Sequence, residues 1–281
     1  MNRGGQTRLA QGFTIVETLI VLAVTSSLFV MTATIINGRQ QKTEFQVGSR
    51  AIQQQIQQVI NEVQTGFYPI SGTFSCTPTL PNNVQLRNGA NAQGTNSGCT
   101  FVGKTMVFGG THTTDYAVYS LAGRRTLSDN ITDVKTPKEA NVTAIAPSTL
   151  NPQSPNATAT VKLPNNLEYV KGRQSGQPWV TTTFPVAFLS SFANFTGSGE
   201  NTSGSQDVQL RGYTIMSLWA AQGSDANAIN NEAARPTPYG ASPLAGADIC
   251  FKSGGTNQSV LITITDGLRV SYSIRSGMDC V

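Results

Sequence analysis

The chain has few of the side chains that carry out chemistry. Only 12% of its 281 residues are charged, and His112 is its one histidine. This histidine stands in a predicted hairpin loop with no second histidine and no cluster of carboxylates, so we expect no metal site there. No serine has the sequence surroundings of a nucleophile elbow. We therefore expect a protein that is not an enzyme and that holds no cofactor and no metal.

The chain also lacks a concentration of positive charge. Its formal net charge is +4, and the basic residues beyond the first twelve are scattered from Arg39 to Arg275. A nucleic-acid-binding face is typically a patch or stripe of such residues, so this scatter indicates a solvated surface instead. Hydrophobic residues make up 38% of the chain and Gly, Ser, Thr and Asn are abundant, which favours a β-rich head with long loops.

Cysteine is scarce, with four residues in the whole chain: Cys76, Cys99, Cys250 and Cys280. Their spacing matches neither C-x-x-C nor a zinc knuckle. An even number in an exported chain favours two disulfides, and four cysteines allow three pairings. We favour the two local ones, Cys76 with Cys99 and Cys250 with Cys280. The alternative, in which all four are reduced and buried, stays open.

One long apolar run stands out against this polar background. From Phe13 to Ile36 the sequence contains a single charge, Glu17. A helix of this length would be about 36 Å long, enough to cross a bilayer core of about 30 Å. A carboxylate within such a segment costs roughly 2.5 to 3.5 kcal/mol on insertion scales, so it requires a partner.

Two ordinary explanations of the run leave this acid unexplained. A cleaved secretory signal would have a shorter apolar core and a small-x-small site behind it, for which only residues 32–34 qualify. A plain signal anchor would have the right length, but it has no use for Glu17.

Residues 12–17 read Gly-Phe-Thr-Ile-Val-Glu behind a short leader that carries Arg3 and Arg8. This sequence resembles the N-terminus of type IV prepilins and of the pseudopilins of type II secretion systems, and it matches their motif at every defined position. The resemblance implies cleavage after Gly12 by a membrane-embedded prepilin peptidase and N-methylation of Phe13. It also implies that Glu17 acts in assembly by meeting the N-terminal amine of a neighbouring subunit. Two buried charges that are costly alone are tolerable as a pair.

The resemblance further implies a fold and a function. The fold would be α+β, with a long N-terminal α-helix packed against an antiparallel β-sheet head. The chain would be a structural subunit of a type IV pilus or pilus-like fibre for surface attachment or twitching motility. The alternatives are a pseudopilin of type II secretion, a subunit of a DNA-uptake pilus, and a pilus-mounted adhesin. A DNA-, glycan- or host-binding site in the head would be carried by its variable loops.

The partners and location follow from the same resemblance. They are other pilin subunits, the prepilin peptidase, an assembly platform with its ATPase, and the cytoplasmic membrane. A host-cell surface or DNA would be met at the fibre exterior. Before assembly the chain would cross the membrane once with its N-terminus inside, and after assembly it would be extracellular.

Four regions are expected along the chain. Residues 1–12 form the leader, 13–36 the transmembrane or fibre-core helix, 37–66 an amphipathic continuation, and 67–281 the head. The third region is predicted from apolar residues at spacings of three, four and seven: Phe45, Ile52, Ile56, Val59, Ile60 and Val63. Asn37-Gly38 could loosen the helix, Gly48 weakens it by about 1 kcal/mol relative to Ala, and Gly66 with Pro69 ends it.

The rest of the sequence predicts a head of loops and short strands. Residues 67–103 and 223–247 are expected to be loops. Strands are expected at 105–108 and 116–121, which form a hairpin, and at 142–146, 158–163, 180–184 and 186–189. Residues 208–219 are expected to form another strand, with a helix as the alternative. The clearest β pattern is the alternation over 260–264 and 268–274, where Asp266-Gly267 predicts a two-residue type I′ turn.

Overall fold

The structure is a computed structural model that describes residues 14–66, 74–79, 83–88, 99–110, 112–127, 132–135, 137–140, 142–144, 158–190, 208–212 and 246–280. The predicted leader and Phe13 lie outside these residues. The chain divides into two compact units, Met1–Glu44 and Phe45–Val281, which we describe separately.

Helix α1 runs from Ile15 to Gln64 as a single element of 50 residues, with no break at Asn37-Gly38. Its end is the one predicted, because Gly66 takes a left-handed φ of 66° and its amide donates to the carbonyl of Val63 at 3.2 Å. A glycine in this conformation is a common helix terminator.

The rest of the second unit is almost entirely β-structure. The described elements after α1 are β1 (Phe74–Thr79), β2 (Asn83–Asn88), β3 (Cys99–Gly109), β4 (His112–Arg124), a short helix α2 (Pro137–Ala140), β5 (Thr143–Ala144), β6 (Thr158–Lys162), β7 (Leu167–Gln174), β8 (Phe184–Ser190), β9 (Val208–Gly212), β10 (Gly246–Ser253), β11 (Gln258–Thr265) and β12 (Val270–Ser276).

All strand pairs among these elements are antiparallel. Strands β12-β11-β10-β7 form a four-stranded sheet, which we call the C-terminal sheet. Strands β5-β4-β3-β8-β9 form a second sheet, the central sheet, to which β6 adds by pairing with β4. Strands β1 and β2 form a separate two-stranded sheet. The chain is therefore an α+β protein.

The predicted apolar stripe of α1 is buried in a core that it shares with both larger sheets. All six of its residues, from Phe45 to Val63, are at most 7% exposed. They belong to one cluster with inward-facing residues of the central sheet, such as Phe108 and Phe188, and of the C-terminal sheet, such as Phe251 and Ile262. A second cluster lies on the other face of the central sheet, around Val107 and Leu121. The second half of α1 is thus a core element of the head.

Several predictions for the head are wrong in detail. Residues 67–103 are not one loop, because β1, β2 and the start of β3 lie within them; Pro78 lies inside β1, and Asn83 and Asn88 lie at the two ends of β2. A strand over 180–184 followed by a break at Pro185 is also wrong, because β8 begins at Phe184 and runs through the proline. Among the described residues, the pairing of β8 with β9 begins only at Val186, so within them Pro185 has a neighbouring strand on one side, β3.

The turn after β11 differs from the predicted type I′ geometry. Gly267 does not have a positive φ, whereas Leu268 does, at 58°. The amide of Leu268 donates to the carbonyl of Thr265 at 2.9 Å, and the amide of Thr265 donates to Arg269 at 3.1 Å. Leu268 tolerates the left-handed backbone because its side chain is buried in the core. Residues 213–219 and 223–245 lie outside the described residues, and the last two residues of the loop predicted over 223–247 belong instead to β10.

Candidate functional site

The N-terminal part of α1 presents apolar side chains on every side. Every residue from Thr14 to Thr32 is exposed, including Ile15 at 80% and Phe29 at 75%. The span Ile15–Ala33 has a mean hydropathy of 2.0 and is long and apolar enough to cross a membrane. An apolar surface this extensive is unstable in water and must be covered by lipid or by protein. We call this span the apolar segment.

Most hydroxyl groups in the apolar segment bond to the helix itself. The side chains of Thr18, Thr25, Ser27 and Thr32 donate to carbonyls three or four residues earlier, at 2.6 to 2.9 Å for the shortest bond of each. Such bonds satisfy the hydroxyls without any outside partner. This is the arrangement that a polar side chain needs in an environment without water.

Glu17 is the charged residue of the apolar segment, and its carboxylate is exposed. Within the described part of the chain, no side chain or backbone group bonds to that carboxylate. Four hydroxyls of the apolar segment are thus satisfied within the helix, whereas the charge of Glu17 is not. A carboxylate covered by lipid or apolar side chains requires a cation or hydrogen-bond donors from elsewhere.

Thr14 and Glu17 interact at the start of α1, and our sequence reasoning missed this contact. The amide of Glu17 donates to Thr14 Oγ1 at 3.3 Å, and the amide of Thr18 donates to the carbonyl of Thr14 at 3.1 Å. Thr14 is therefore the N-cap of α1, and Thr-x-x-Glu is the sequence of a capping box. The signal was present in residues 14–17. An acid in the first turn also interacts favourably with the helix dipole.

The structure describes only some of the other predicted site residues. Gly12 and Phe13 lie outside the described residues, so their processing stays a prediction. The side chains of Cys76 and Cys99 also lie outside them, and their pairing stays a prediction. Cys250 and Cys280 are joined in a disulfide with a Cα–Cα distance of 5.9 Å.

The Cys250–Cys280 disulfide lies on the outer face of the C-terminal sheet. Both cysteines are buried there beside Leu261. The bond attaches the last described residue of the chain to the central strands of that sheet.

The second unit also contains a buried ion pair that we did not predict from the sequence. Lys104 Nζ lies 2.5 Å from Glu62 Oε2, and the lysine is only 3% exposed. The other carboxylate oxygen of Glu62 accepts a hydrogen bond from Gln58 Nε2 at 2.8 Å. Burial and, to a smaller extent, the charge of Glu62 raise the pKa of the nearby Tyr116 to about 12. This pair links α1 to strand β3.

His112 makes a local contact instead of forming part of a larger site. Its Nδ1 lies 2.6 Å from Asp115 Oδ1 on the same strand. Among the described residues, no three His, Cys, Asp or Glu side chains come together in a way that could hold a metal ion.

Comparison with known proteins adds no further information on the site. No protein-family model, curated protein or solved structure matches the chain. The class of protein therefore follows from the structure: an α+β protein with an exposed, apolar N-terminal helix of membrane-spanning length and a head of antiparallel sheets.

Proposed function

We propose that this chain is a pilin-like structural subunit that is held in the cytoplasmic membrane by its apolar segment and then polymerised through that segment into an extracellular fibre. The observation that carries the proposal is Glu17, whose charge interrupts an otherwise apolar surface and has no partner among the residues that the structure describes. The Gly-Phe-Thr-x-x-Glu motif at residues 12–17 supports it.

The proposed mechanism begins with processing. A prepilin peptidase cuts between Gly12 and Phe13 and removes the basic leader, and Phe13 becomes the methylated N-terminus. In the fibre the apolar segments of neighbouring subunits cover one another. The carboxylate of Glu17 then lies against the N-terminal amine of a neighbour, so that each charge satisfies the other. An assembly platform and its ATPase supply the work of extraction from the membrane.

The acid in the apolar segment supports this function over a permanent membrane anchor. A plain anchor gains nothing from an acid that costs roughly 2.5 to 3.5 kcal/mol on insertion scales. An assembling helix gains specificity from it, because a wrongly placed neighbour leaves the carboxylate without its cation. The same mechanism would serve a surface pilus, a secretion pseudopilus or a DNA-uptake fibre, and we favour the surface pilus.

The direct test is mass spectrometry of sheared surface filaments and of membranes from the native organism. We expect the N-terminal peptide to begin at Phe13 and to be heavier by one methyl group. The Gly12→Asp variant should keep its leader and stay in the membrane. A mature-sized chain in that variant would show that processing occurs elsewhere, and a chain that is absent from filaments of the wild-type organism would overturn the proposal.

A further inference from the structure

The apolar stripe of α1 repeats only in part along the helix. A shift of four residues moves Ile52 onto Ile56, Ile56 onto Ile60, and Val59 onto Val63, but it brings Gln41 or Ser49 to the place of Phe45. Such a shift corresponds to about 6 Å along the helix axis. Because hydrophobic contact is non-directional, burial of the repeating residues does not discriminate between the two positions, and the discrimination comes from side chains that do not repeat.

The contact between Glu62 and Lys104 does not repeat in this way. Lys104 alternates with Met106 and Phe108 along β3, so it points to the same core as they do. A shift of four residues would place Gln58 or Gly66 opposite its ammonium group instead of Glu62. A buried cation without its carboxylate is costly, and much more costly than the pair.

A second contact, four helical turns away, acts in the same direction. A Cβ added at Gly48 would lie 3.1 Å from the Cβ of Asn165, so α1 and the segment before β7 approach closely there. A shift of four residues would bring the larger Glu44 or Ile52 to this place. The two contacts therefore oppose the same displacements, by charge at one end and by size at the other.

We propose that Glu62 and Lys104 are a register-determining pair, which fixes the position of the head's sheets along α1. Single buried polar contacts set the register of helices in coiled coils in the same way. The pair's importance for assembly rests on the proposed function, since a head that slides along its helix could not present one defined surface to its neighbours. The register itself does not depend on that function.

The test measures distances in the full-length protein in detergent micelles. Nitroxide labels are placed on the exposed Gln54 or Asn61 of α1, each together with the exposed Ser273 of β12, and distances are read by pulsed electron paramagnetic resonance. The variants are E62M/K104M, which replaces the pair by apolar chains, and E62K/K104E, which reverses it. The matched control is E168M/K252M, which removes the exposed pair on the C-terminal sheet, where the charged atoms are 3.0 Å apart.

We expect one narrow distance distribution in the wild type, the reversed pair and the control. The E62M/K104M variant should show a broadened distribution or a second population displaced by up to about 6 Å. An unchanged narrow distribution in E62M/K104M would overturn the proposal. If that variant does not fold, the reversed pair decides: a narrow distribution supports the proposal, and a broad one or a failure to fold overturns it.

Fibre incorporation of the same variants is a separate readout. We expect E62M/K104M to be incorporated less well than E62K/K104E. If the wild type itself never enters a fibre, the proposed function fails while the distance result stands.

Discussion

The amide of Glu17 donates a hydrogen bond to the hydroxyl of Thr14, 3.3 Å away, at the first turn of α1. Glu17 can therefore contribute both to the start of the helix and to assembly. Its position allows the carboxylate to help start the helix, and its charge allows it to bind a cation of another subunit. Glutamine can take the place of glutamate in a capping box, but it carries no charge. A glutamine at this position therefore keeps the first contribution and removes the second.

The Glu17→Gln variant separates these contributions. We expect it to enter the membrane normally, since removing the charge makes the apolar segment cheaper to insert. We also expect both this variant and Glu17→Val to be nearly absent from fibres, because both lack the charge. Immunoblots of membranes and of sheared filaments would measure both effects.

Thr14→Ala is the matched control for the helix start. It should weaken the N-cap by about 1 kcal/mol while leaving the charge in place, so most fibre incorporation should be retained. Normal incorporation of Glu17→Gln, together with a loss in Thr14→Ala, would show that Glu17 acts through the helix start alone.

Much of the fold could be predicted because its signals are local. The buried stripe of α1 has a helical period, and strands β11 and β12 alternate clearly. Strands β7 and β10 were missed for physical reasons. The pairing of β7 with β10 shifts in register opposite Cys250 and Phe251, which breaks the alternation in β7. Strand β10 is buried on both faces and so does not alternate. The outer faces of both strands carry charges that pair with each other, such as Arg173 with Asp248 at 2.9 Å.

The residues of the candidate site also differ in whether a local sequence signal identifies them. Glu17 is evident from sequence because it interrupts an apolar run, and the cap at Thr14 could have been found from the Thr-x-x-Glu spacing. The contact between Glu62 and Lys104 joins residues 42 positions apart, and no local pattern specifies it. The left-handed Leu268 is likewise fixed by burial of its side chain, which only the folded sheets provide.

Gly48 illustrates how packing changes a local expectation. By helix propensity alone, Gly48→Ala should stabilise α1 by about 1 kcal/mol. The new Cβ would lie 3.1 Å from the side chain of Asn165 and 3.2 Å from the carbonyl oxygen of Pro164, and Asn165 itself has a left-handed φ of 50°. We therefore expect little or no gain from Gly48→Ala and a loss of about 1 to 3 kcal/mol from Gly48→Leu.

Thermal unfolding of the full chain in detergent would measure these changes in stability. The control is Gln54→Gly on the exposed side of α1, which should cost about 1 kcal/mol by propensity alone. A gain of about 1 kcal/mol in Gly48→Ala would contradict the close approach.

The disulfide between Cys250 and Cys280 should contribute strongly to the stability of the C-terminal sheet. The two cysteines are 30 residues apart, and the chain-entropy estimate for a loop of this size is about 3.5 kcal/mol. C250A/C280A should lower the free energy of unfolding by about that amount in a denaturant titration. It should also make residues 277–280 sensitive to carboxypeptidase. A change below about 1 kcal/mol would show that the surrounding packing holds this segment without the bond.

Tyr116 should make the head sensitive to alkaline pH. Burial, with the charge of Glu62, raises its pKa from 10.0 to about 12. The folded head therefore favours the neutral phenol, and this contribution is complete below pH 10 and lost as the pH rises towards 12. A shift of this size corresponds to about 3 kcal/mol.

Denaturant titrations of the wild type and of Tyr116→Phe at pH 7 and at pH 11 to 12 would measure it. The difference between the two proteins at pH 7 is the control, because it contains the packing effect of the lost hydroxyl without any ionisation. We expect the wild type to lose more stability than Tyr116→Phe over the alkaline range. Equal losses in the two proteins would mean that Tyr116 ionises in the folded head as easily as in the unfolded chain.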